Sequence, residues 1–306
     1  AGFLFFARQF QEFTRMYLRS TLDFKLLGTQ FLASATLLFV LVLPFVKYLG
    51  LYGYITGQIL AFGIAGFMGL HLVNFSPEEL RNPRLVLPLI KIGLPIMMAG
   101  YLYGLLTSID RWIVVGFLGI EQLGYYSLSI ITIRTLTLLP GVISNLIYPR
   151  MAKTFGRTND EKSLTHYIKT QFLGGYVIIL PVFLAFYFLF PLFVKKFMPA
   201  YIPGIDAMRV ILWGTLFLPL GFSFGDFLNT TGRQNYYLTV QALAVAINFL
   251  LTFLFVVKLN MGIVGAALGT SITCFCYSIT LAFVSWYFVL SKIHSQNKNN
   301  INGFVK

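Results

Sequence analysis

Long apolar segments separated by short polar ones recur along the whole chain. A helix of about 20 apolar residues crosses the roughly 30 Å hydrocarbon core of a bilayer, and each segment reaches that length. The pattern therefore predicts an all-α polytopic membrane protein with eight complete transmembrane helices. The predicted spans are residues 26–46, 51–73, 92–117, 122–148, 170–194, 210–230, 235–257 and 259–291.

Lysine and arginine are distributed unevenly between alternate connections. One set of connections holds Arg8, Arg15, Arg19, Lys25, Arg81, Arg84, Lys91, Arg150, Lys153, Arg157, Lys162, Lys169, Arg233, Lys292, Lys298 and Lys306. The opposite set holds Lys47, Lys195, Lys196, Arg209 and Lys258. Basic residues accumulate in short cytoplasmic loops. We therefore expect the richer set, with the carboxy terminus, to face the cytoplasm.

The composition changes this picture little. Hydrophobic residues make up 57% of the chain and charged residues 11%, about half the charged fraction of a typical soluble domain. A net charge of +13 is also typical of nucleic-acid-binding proteins, but the basic residues here lie in short loops, so no nucleic-acid partner is expected. The sequence has no P-loop, metal-ligand cluster or nucleophile–base arrangement. We therefore expect neither an enzyme nor a metal or cofactor site.

A glycine pattern occurs twice. Gly50, Gly53 and Gly57 recur as Gly262, Gly265 and Gly269, at an offset of 212 residues. The offset covers six predicted helices, so both copies have the same orientation in the membrane, as in transporters built from parallel repeats.

The repeat predicts the domain organisation. Residues 91–291 form a carboxy-terminal six-helix lobe, and residues 1–90 are the remainder of an incomplete amino-terminal lobe: the end of one helix, the last helical hairpin and a cytoplasmic linker at 74–90. On this interpretation the chain lacks its amino-terminal part. The Asn- and Lys-rich residues 292–306 are predicted to be a disordered cytoplasmic tail.

Several short motifs, taken in order, resemble one known family. They are Lys-Ile-Gly-Leu-Pro at 91–95, Ser-Ile-Asp-Arg-Trp-Ile-Val-Val-Gly-Phe-Leu-Gly at 108–119, Leu-Gly-Tyr-Tyr-Ser at 123–127, Tyr-Pro-Arg-Met-Ala at 148–152 and Ala-Ile-Asn at 246–248 before the second glycine pattern. Together they are similar to the polysaccharide-exporter branch of the MATE/MOP superfamily, the Wzx-type flippases. The resemblance covers essentially the whole chain.

The resemblance implies a transporter with two lobes around a cavity that opens alternately to each side of the membrane. The implied cargo is an undecaprenyl-diphosphate-linked oligosaccharide, such as the O-antigen repeat of lipopolysaccharide or another surface polysaccharide. The implied partners are this lipid-linked substrate, membrane lipids, a coupling ion (H⁺ or Na⁺) and polysaccharide-assembly proteins. No metal or cofactor is implied.

Charged residues inside the predicted spans mark the candidate cavity. A charge at the centre of a helix costs about 2.5–3.5 kcal/mol to insert, so such residues face protein or water. Arg134 lies near the middle of its span, and helical spacing places it on one stripe with Ser127 and Asn145. The candidate substrate-cavity residues are Arg134, Arg111 and Asp110, with Tyr103, Thr107, Ser127 and Asn145 as further lining residues.

Other interpretations stay open. Asp110 is a potential neutralising partner for Arg134, which would make the pair structural. Asp226 is predicted to lie at the membrane interface. A lipid II flippase or a drug/cation antiporter of the same superfamily is an alternative function, as is a polytopic enzyme acting on a polyprenyl-linked sugar. The enzyme needs acidic or histidine groups in sizeable loops, which this sequence lacks.

Overall fold

A computed structural model describes residues 2–71 and 83–303 of the chain. Part of the predicted linker at 74–90 and the last three residues of the predicted tail lie outside the described residues. The α-helices are α1 (Gly2–Ser20), α2 (Phe24–Leu37), α3 (Leu43–His71), α4 (Pro83–Leu106), α5 (Ile109–Leu118), α6 (Ile120–Thr158), α7 (Thr165–Phe197), α8 (Ile205–Thr215), α9 (Leu218–Thr230), α10 (Gln234–Phe253) and α11 (Gly262–Gly303). Short π-helical turns at Leu38–Val42 and Leu254–Lys258 follow α2 and α10.

The chain divides into two compact units, Ala1–Val86 and Leu87–Lys306. The division falls four residues before the predicted boundary between residues 90 and 91. In the first unit, α1 packs on α2 and α3 through a buried polar layer. Gln30 Nε2 donates hydrogen bonds to Thr14 Oγ1 (2.6 Å) and to Ala65 O (3.2 Å). Polar residues of this kind hold helices together in a membrane, where few other hydrogen-bond partners are available.

Gly50 interrupts helix α3. Its backbone has φ 57° and ψ −130°, a conformation that glycine adopts without the steric penalty of a Cβ atom. Beyond this break the chain turns back on the residues before it, because the α-carbon of Gly53 lies against the Phe45 carbonyl and that of Gly57 against Val42. Residues on the two sides of Gly50 therefore form a helical hairpin.

The second copy of the glycine pattern has the same local geometry. Gly262 has φ 59° and begins α11. A Cβ atom at Gly265 would meet Phe255 at 3.0 Å, and one at Gly269 would meet Thr252 Oγ1 at 2.5 Å. Each copy thus combines a positive-φ glycine with two glycines that allow close helix packing. Superposition of the two hairpins stays a prediction.

The second unit has three buried apolar clusters. Leu106, Met151, Leu164 and Phe227 belong to a cluster at the end where α6 is joined to α7. Val114, Ile211 and Ala267 belong to the second, and Leu136, Ile179 and Met208 to the third.

The outer faces of the helices are apolar. On α7, Val177 is 72% exposed and Leu192 is 63% exposed, and large apolar side chains are exposed on many other helices. A water-soluble protein seldom exposes apolar surface on this scale, whereas lipid tails accept it. The chain is therefore a multi-pass membrane protein.

Within the described residues, six helical segments are long and apolar enough to cross a membrane. The pair Pro199–Thr215 and Leu218–Thr230, bent by 40°, makes a seventh if it counts as one span. Phe24–His71 counts as one 48-residue segment, although the break at Gly50 lies within it. The total of eight spans stays a prediction.

Four helical segments differ from the sequence prediction. The predicted span 92–117 is broken between α4 and α5, and residues 210–230 include the bend between α8 and α9. Helix α6 continues through Pro149 to Thr158, which shortens the predicted loop at 149–169. Helix α11 continues to Gly303, where a disordered tail was expected from residue 292. No glycine or proline lies between Gly269 and Gly303 to end it.

Candidate functional site

A break between α4 and α5 shapes the candidate site. Thr107 and Ser108 separate the two helices, and Ser108 has φ −130°, outside the helical range. Serine and threonine weaken a helix interior because their hydroxyls compete for backbone hydrogen bonds. The break leaves the Leu106 carbonyl without its normal helical partner, and Asn248 Nδ2 of α10 donates to it at 2.8 Å.

The break also changes the direction of Asp110. In a continuous helix Asp110 would share a face with Tyr103 and Thr107, as the sequence predicted. It lies instead in the first turn of α5 and is buried. Its carboxylate accepts hydrogen bonds from Tyr126 Oη (2.6 Å) and Thr270 Oγ1 (3.3 Å). Asp110 therefore belongs to a polar network in the protein interior and does not line the pocket described next.

Arg111 and Arg134 lie in the wall of one pocket of about 430 Å³ between α4, α5 and α6. We call it the arginine pocket. It is lined by Tyr103, Gly104, Thr107, Ser108, Arg111, Ile133, Arg134, Thr137 and Leu138. Four of the predicted cavity residues are therefore neighbours, although they come from two separate parts of the sequence.

Neither arginine of this pocket has a carboxylate within ion-pair distance in the part of the chain that the structure describes. Arg134 is exposed and Arg111 is half-buried. Arg15–Glu12 and Arg233–Glu161 form ion pairs, whereas Arg111 and Arg134 form none with the described residues. The sequence left open a structural pair of Arg134 with Asp110, and no such pair forms in the described part of the chain.

Ser127 and Asn145 do not line the arginine pocket. The face of α6 that does so holds Ile133, Arg134, Thr137 and Leu138. The predicted stripe was drawn through more widely spaced residues, seven and eleven positions from Arg134. Thr137 was missed, although it lies within one turn of Arg134 and the same helical spacing would have found it.

A second pocket adjoins the first. We call it the acidic pocket; it has a volume of about 170 Å³ and shares Tyr103 with the arginine pocket. It is lined by Gly100, Tyr103, Ser144, Leu218, Gly221, Phe222, Gly225, Asp226, Tyr237 and Tyr277. Asp226, which was predicted to be interfacial, is half-buried here, and its Oδ2 accepts hydrogen bonds from Ser144 Oγ (2.5 Å) and Gln171 Nε2 (2.7 Å).

Sequence reasoning had no means of finding this pocket. Ser144 and Gln171 are 82 and 55 residues from Asp226 along the chain, and no local spacing joins them.

Within the described part of the chain, no three histidine, cysteine or acidic side chains are grouped closely enough to hold a metal ion.

A comparison with protein families identifies the chain. A model of the family described as "Polysaccharide biosynthesis protein" matches residues 1–199. The chain belongs to this family. This match supports the resemblance of its short motifs to the polysaccharide-exporter branch of the MATE/MOP superfamily.

Two membrane proteins of Methanocaldococcus jannaschii are similar to this chain. MJ1068 is 25% identical over 218 residues, which cover 70% of this chain and 40% of that protein. MJ1375 is 23% identical over 276 residues, which cover 85% of this chain and 64% of that protein. The chain thus spans less than two thirds of the length of these relatives.

Solved structures of MOP-superfamily transporters have the same fold. A multidrug resistance MATE family transporter in an outward-facing conformation gives a TM-score of 0.75 at 14% identity, over 91% of this chain and 66% of that one. A Vibrio cholerae MATE transporter gives 0.77 at 16% identity, over 92% and 66%. A transporter from Pyrococcus furiosus gives 0.71 at 14% identity, over 86% and 62%, and is described as having a binding pocket of reverse polarity that suggests a different function.

Proposed function

We propose that this polysaccharide biosynthesis protein is part of a transporter that moves an undecaprenyl-diphosphate-linked oligosaccharide across the bacterial inner membrane by alternating access. The observation that carries the proposal is the arginine pocket, in which Arg111 and Arg134 lie together without a carboxylate partner. The cargo would be the O-antigen repeat or the repeat of another surface polysaccharide.

The charge of the cargo matches this pocket. A diphosphate that leaves water for a protein cavity loses its hydration, and cationic side chains that replace the water offset this loss. The planar guanidinium group donates two parallel hydrogen bonds to phosphate oxygens. A pair of arginines already bound to carboxylates would have to break those contacts first, whereas Arg111 and Arg134 have none to break.

The same observation favours an anionic cargo over a cationic drug. A cation in the arginine pocket would be repelled by both guanidinium groups, because like charges a few ångströms apart in a low-dielectric site repel strongly. Fold alone does not decide between these cargoes, since function depends on the site and not on the architecture that holds it. The proposed partners are the lipid-linked oligosaccharide, membrane lipids, polysaccharide-assembly proteins and a coupling ion, H⁺ or Na⁺.

The function is tested by deleting the gene. We expect cells without the protein to accumulate the lipid-linked repeat on the cytoplasmic leaflet of the inner membrane. The measurement is extraction of the lipid-linked sugar, with its accessibility to an impermeant sugar-binding probe in vesicles of both orientations. A deletion strain in which the repeat reaches the outer leaflet at the normal rate would contradict the proposal.

The proposed orientation places the Thr158 end of α6 and the last residues of α11 in the cytoplasm. This rests on the uneven distribution of lysine and arginine between alternate connections. Single cysteines at Thr158 and Gln296, in a protein otherwise without cysteine, are expected to resist an impermeant thiol reagent in intact cells and to react after lysis. A cysteine at Tyr48, near the opposite end of a span, is the control and should react in intact cells. Labelling of either test position from outside would refute this orientation.

A further inference from the structure

The acidic pocket adjoins the arginine pocket but offers the opposite chemistry. Tyr103 of α4 lines both, so that a molecule bound across Tyr103 would contact guanidinium groups on one side and a carboxylate on the other. The transport function proposed above uses only the arginine pocket. The acidic pocket therefore needs an explanation of its own.

Several polar atoms of the acidic pocket have unused hydrogen-bonding capacity. Both side-chain hydrogen bonds to Asp226 end on Oδ2, and among the described residues Oδ1 accepts none. Gln171 does not line the pocket, but it donates to Asp226, and its buried Oε1 has no hydrogen-bond partner among the described residues. The hydroxyl of Tyr103 is also buried without a hydrogen bond of normal geometry, although Thr137 is a neighbour. Buried polar groups are normally paired, so these atoms point to a polar ligand rich in hydroxyl groups.

Aromatic rings form much of the remaining wall. The rings of Tyr103 and Phe222 meet edge to face, with centroids 6.2 Å apart. Tyr237 and Tyr277 lie close to the backbone of α9, because Gly225 and Gly221 have no side chain: a Cβ atom there would meet the Tyr237 ring at 2.8 Å and the Tyr277 ring at 3.2 Å. Aromatic walls combined with a carboxylate suit a sugar ring, whose C–H groups are apolar and whose hydroxyls are hydrogen-bond donors.

The size of the pocket limits what it can hold. Its volume is about 170 Å³. An apolar cavity of about 150 Å³ holds a benzene molecule, so the acidic pocket has room for one six-membered ring and not for a chain of sugars.

We propose that the acidic pocket binds the sugar ring that is attached directly to the diphosphate of the cargo. Asp226 accepts hydrogen bonds from its hydroxyls, the Tyr103 hydroxyl contacts the same ring, and the arginine pocket holds the neighbouring diphosphate. This inference rests on the proposed function and adds to it a site that distinguishes glycosylated from bare lipid carrier.

The experiment compares two probes on the purified full-length protein in lipid nanodiscs. One is bare undecaprenyl diphosphate, and the other is the lipid-linked repeat extracted from the deletion strain. Asp226→Asn should weaken equilibrium binding of the glycosylated lipid about tenfold, because a hydrogen bond to a charged acceptor is replaced by a weaker one. Its binding of the bare lipid should change less than about twofold. Tyr103→Phe should also weaken binding of the glycosylated lipid more than binding of the bare lipid, but by a smaller factor than Asp226→Asn. The substitution removes no hydrogen bond of normal geometry within the described part of the protein.

Two controls separate this inference from the function on which it rests. Asp206→Asn makes the same chemical change at an exposed position of α8 and should leave both affinities unchanged. Arg134→Ala should weaken binding of both lipids equally, since both contain the diphosphate.

The outcomes separate the two proposals. If Arg134→Ala changed the affinity for neither lipid, the proposed function would be refuted. The sugar site alone would be overturned if Arg134→Ala weakened binding of both lipids as expected, but Asp226→Asn weakened binding of both lipids equally or changed neither affinity. A third outcome would also overturn the proposal. Lipid binding by the unmodified protein would depend on Na⁺ or H⁺, and the Asp226→Asn variant would lose this dependence while it still distinguished the two lipids. The acidic pocket would then be a cation site.

Discussion

Replacing Arg134 with alanine is expected to abolish export of the lipid-linked repeat while the protein still inserts in the membrane at normal levels. Arg134 is exposed in the wall of the arginine pocket and has no ion-pair partner among the described residues, so its removal breaks no ion pair there. What it removes is the guanidinium group that would replace the hydration of the diphosphate. A charge-assisted contact of this kind is worth about 1.5–3 kcal/mol.

Arg134→Lys should retain part of the activity. Lysine keeps the positive charge but loses the planar pair of donors that matches two phosphate oxygens. The three proteins, unmodified, Arg134→Ala and Arg134→Lys, are compared by the rate of repeat export and by protein level in the membrane. Arg157→Ala is the matched control, because Arg157 is an exposed arginine in the last turn of the same helix and lies outside the pocket.

The double variant Arg134→Ala with Asp110→Ala tests the structural alternative directly. If the two side chains neutralised each other, removing both would restore function, because no unpaired charge would remain. We expect no recovery, since the Asp110 carboxylate is bonded to Tyr126 and Thr270 instead. Recovery of export in the double variant would contradict a substrate role for Arg134.

Replacing Glu161 with alanine is expected to destabilise the second unit by about 3 kcal/mol, because it removes a largely buried, two-pronged ion pair with Arg233. Glu161 lies in the connection between α6 and α7, and Arg233 lies just before α10. Arg233 Nη2 donates to Glu161 Oε1 at 3.0 Å and Nη1 to Oε2 at 3.2 Å, a two-pronged contact. Only 5% of the Glu161 side chain and 18% of the Arg233 side chain are exposed, so water can replace little of this interaction.

The stability can be followed with a thiol-reactive fluorescent dye during heating of the purified protein. In a Cys276→Ser background, which removes the half-buried second cysteine, the buried Cys274 is expected to react only when the protein unfolds. The charge swap Glu161→Arg with Arg233→Glu should recover much of the lost stability. Glu12→Ala removes the other, more exposed ion pair and should cost less than about 0.5 kcal/mol. An unfolding temperature for Glu161→Ala equal to that of Glu12→Ala would show that the buried pair does not stabilise the fold.

The helices and their approximate ends could be predicted from the sequence because they depend on residue type and local spacing. Apolar runs of sufficient length predicted helices that suit a membrane, and the division between the predicted spans 26–46 and 51–73 coincides with the break at Gly50. The cost of placing a charge in a bilayer identified Arg134 and Arg111 without any contact information. Their occurrence in one pocket also followed in part, because both lie on helices that are adjacent in the sequence.

The direction of Asp110 was decided by tertiary structure. A uniform helical spacing placed it beside Tyr103, but the break at Thr107 and Ser108 turned it towards Tyr126 and Thr270. Whether a serine–threonine pair breaks a helix depends on whether another helix supplies a hydrogen-bond donor for the backbone carbonyl that the break frees. Here that carbonyl belongs to Leu106, and the donor is Asn248, which is 142 residues from Leu106 in the sequence.

The acidic pocket and the buried ion pair were also beyond sequence reasoning. Asp226 and Gln171 are 55 residues apart, and Glu161 and Arg233 are 72 residues apart. The sequence by itself determined which segments are helical, which of them suit a membrane and which carry costly charges, because these properties belong to single residues and their near neighbours. Only the tertiary structure decided which side chains meet, because that depends on the bends and packing angles of several helices at once.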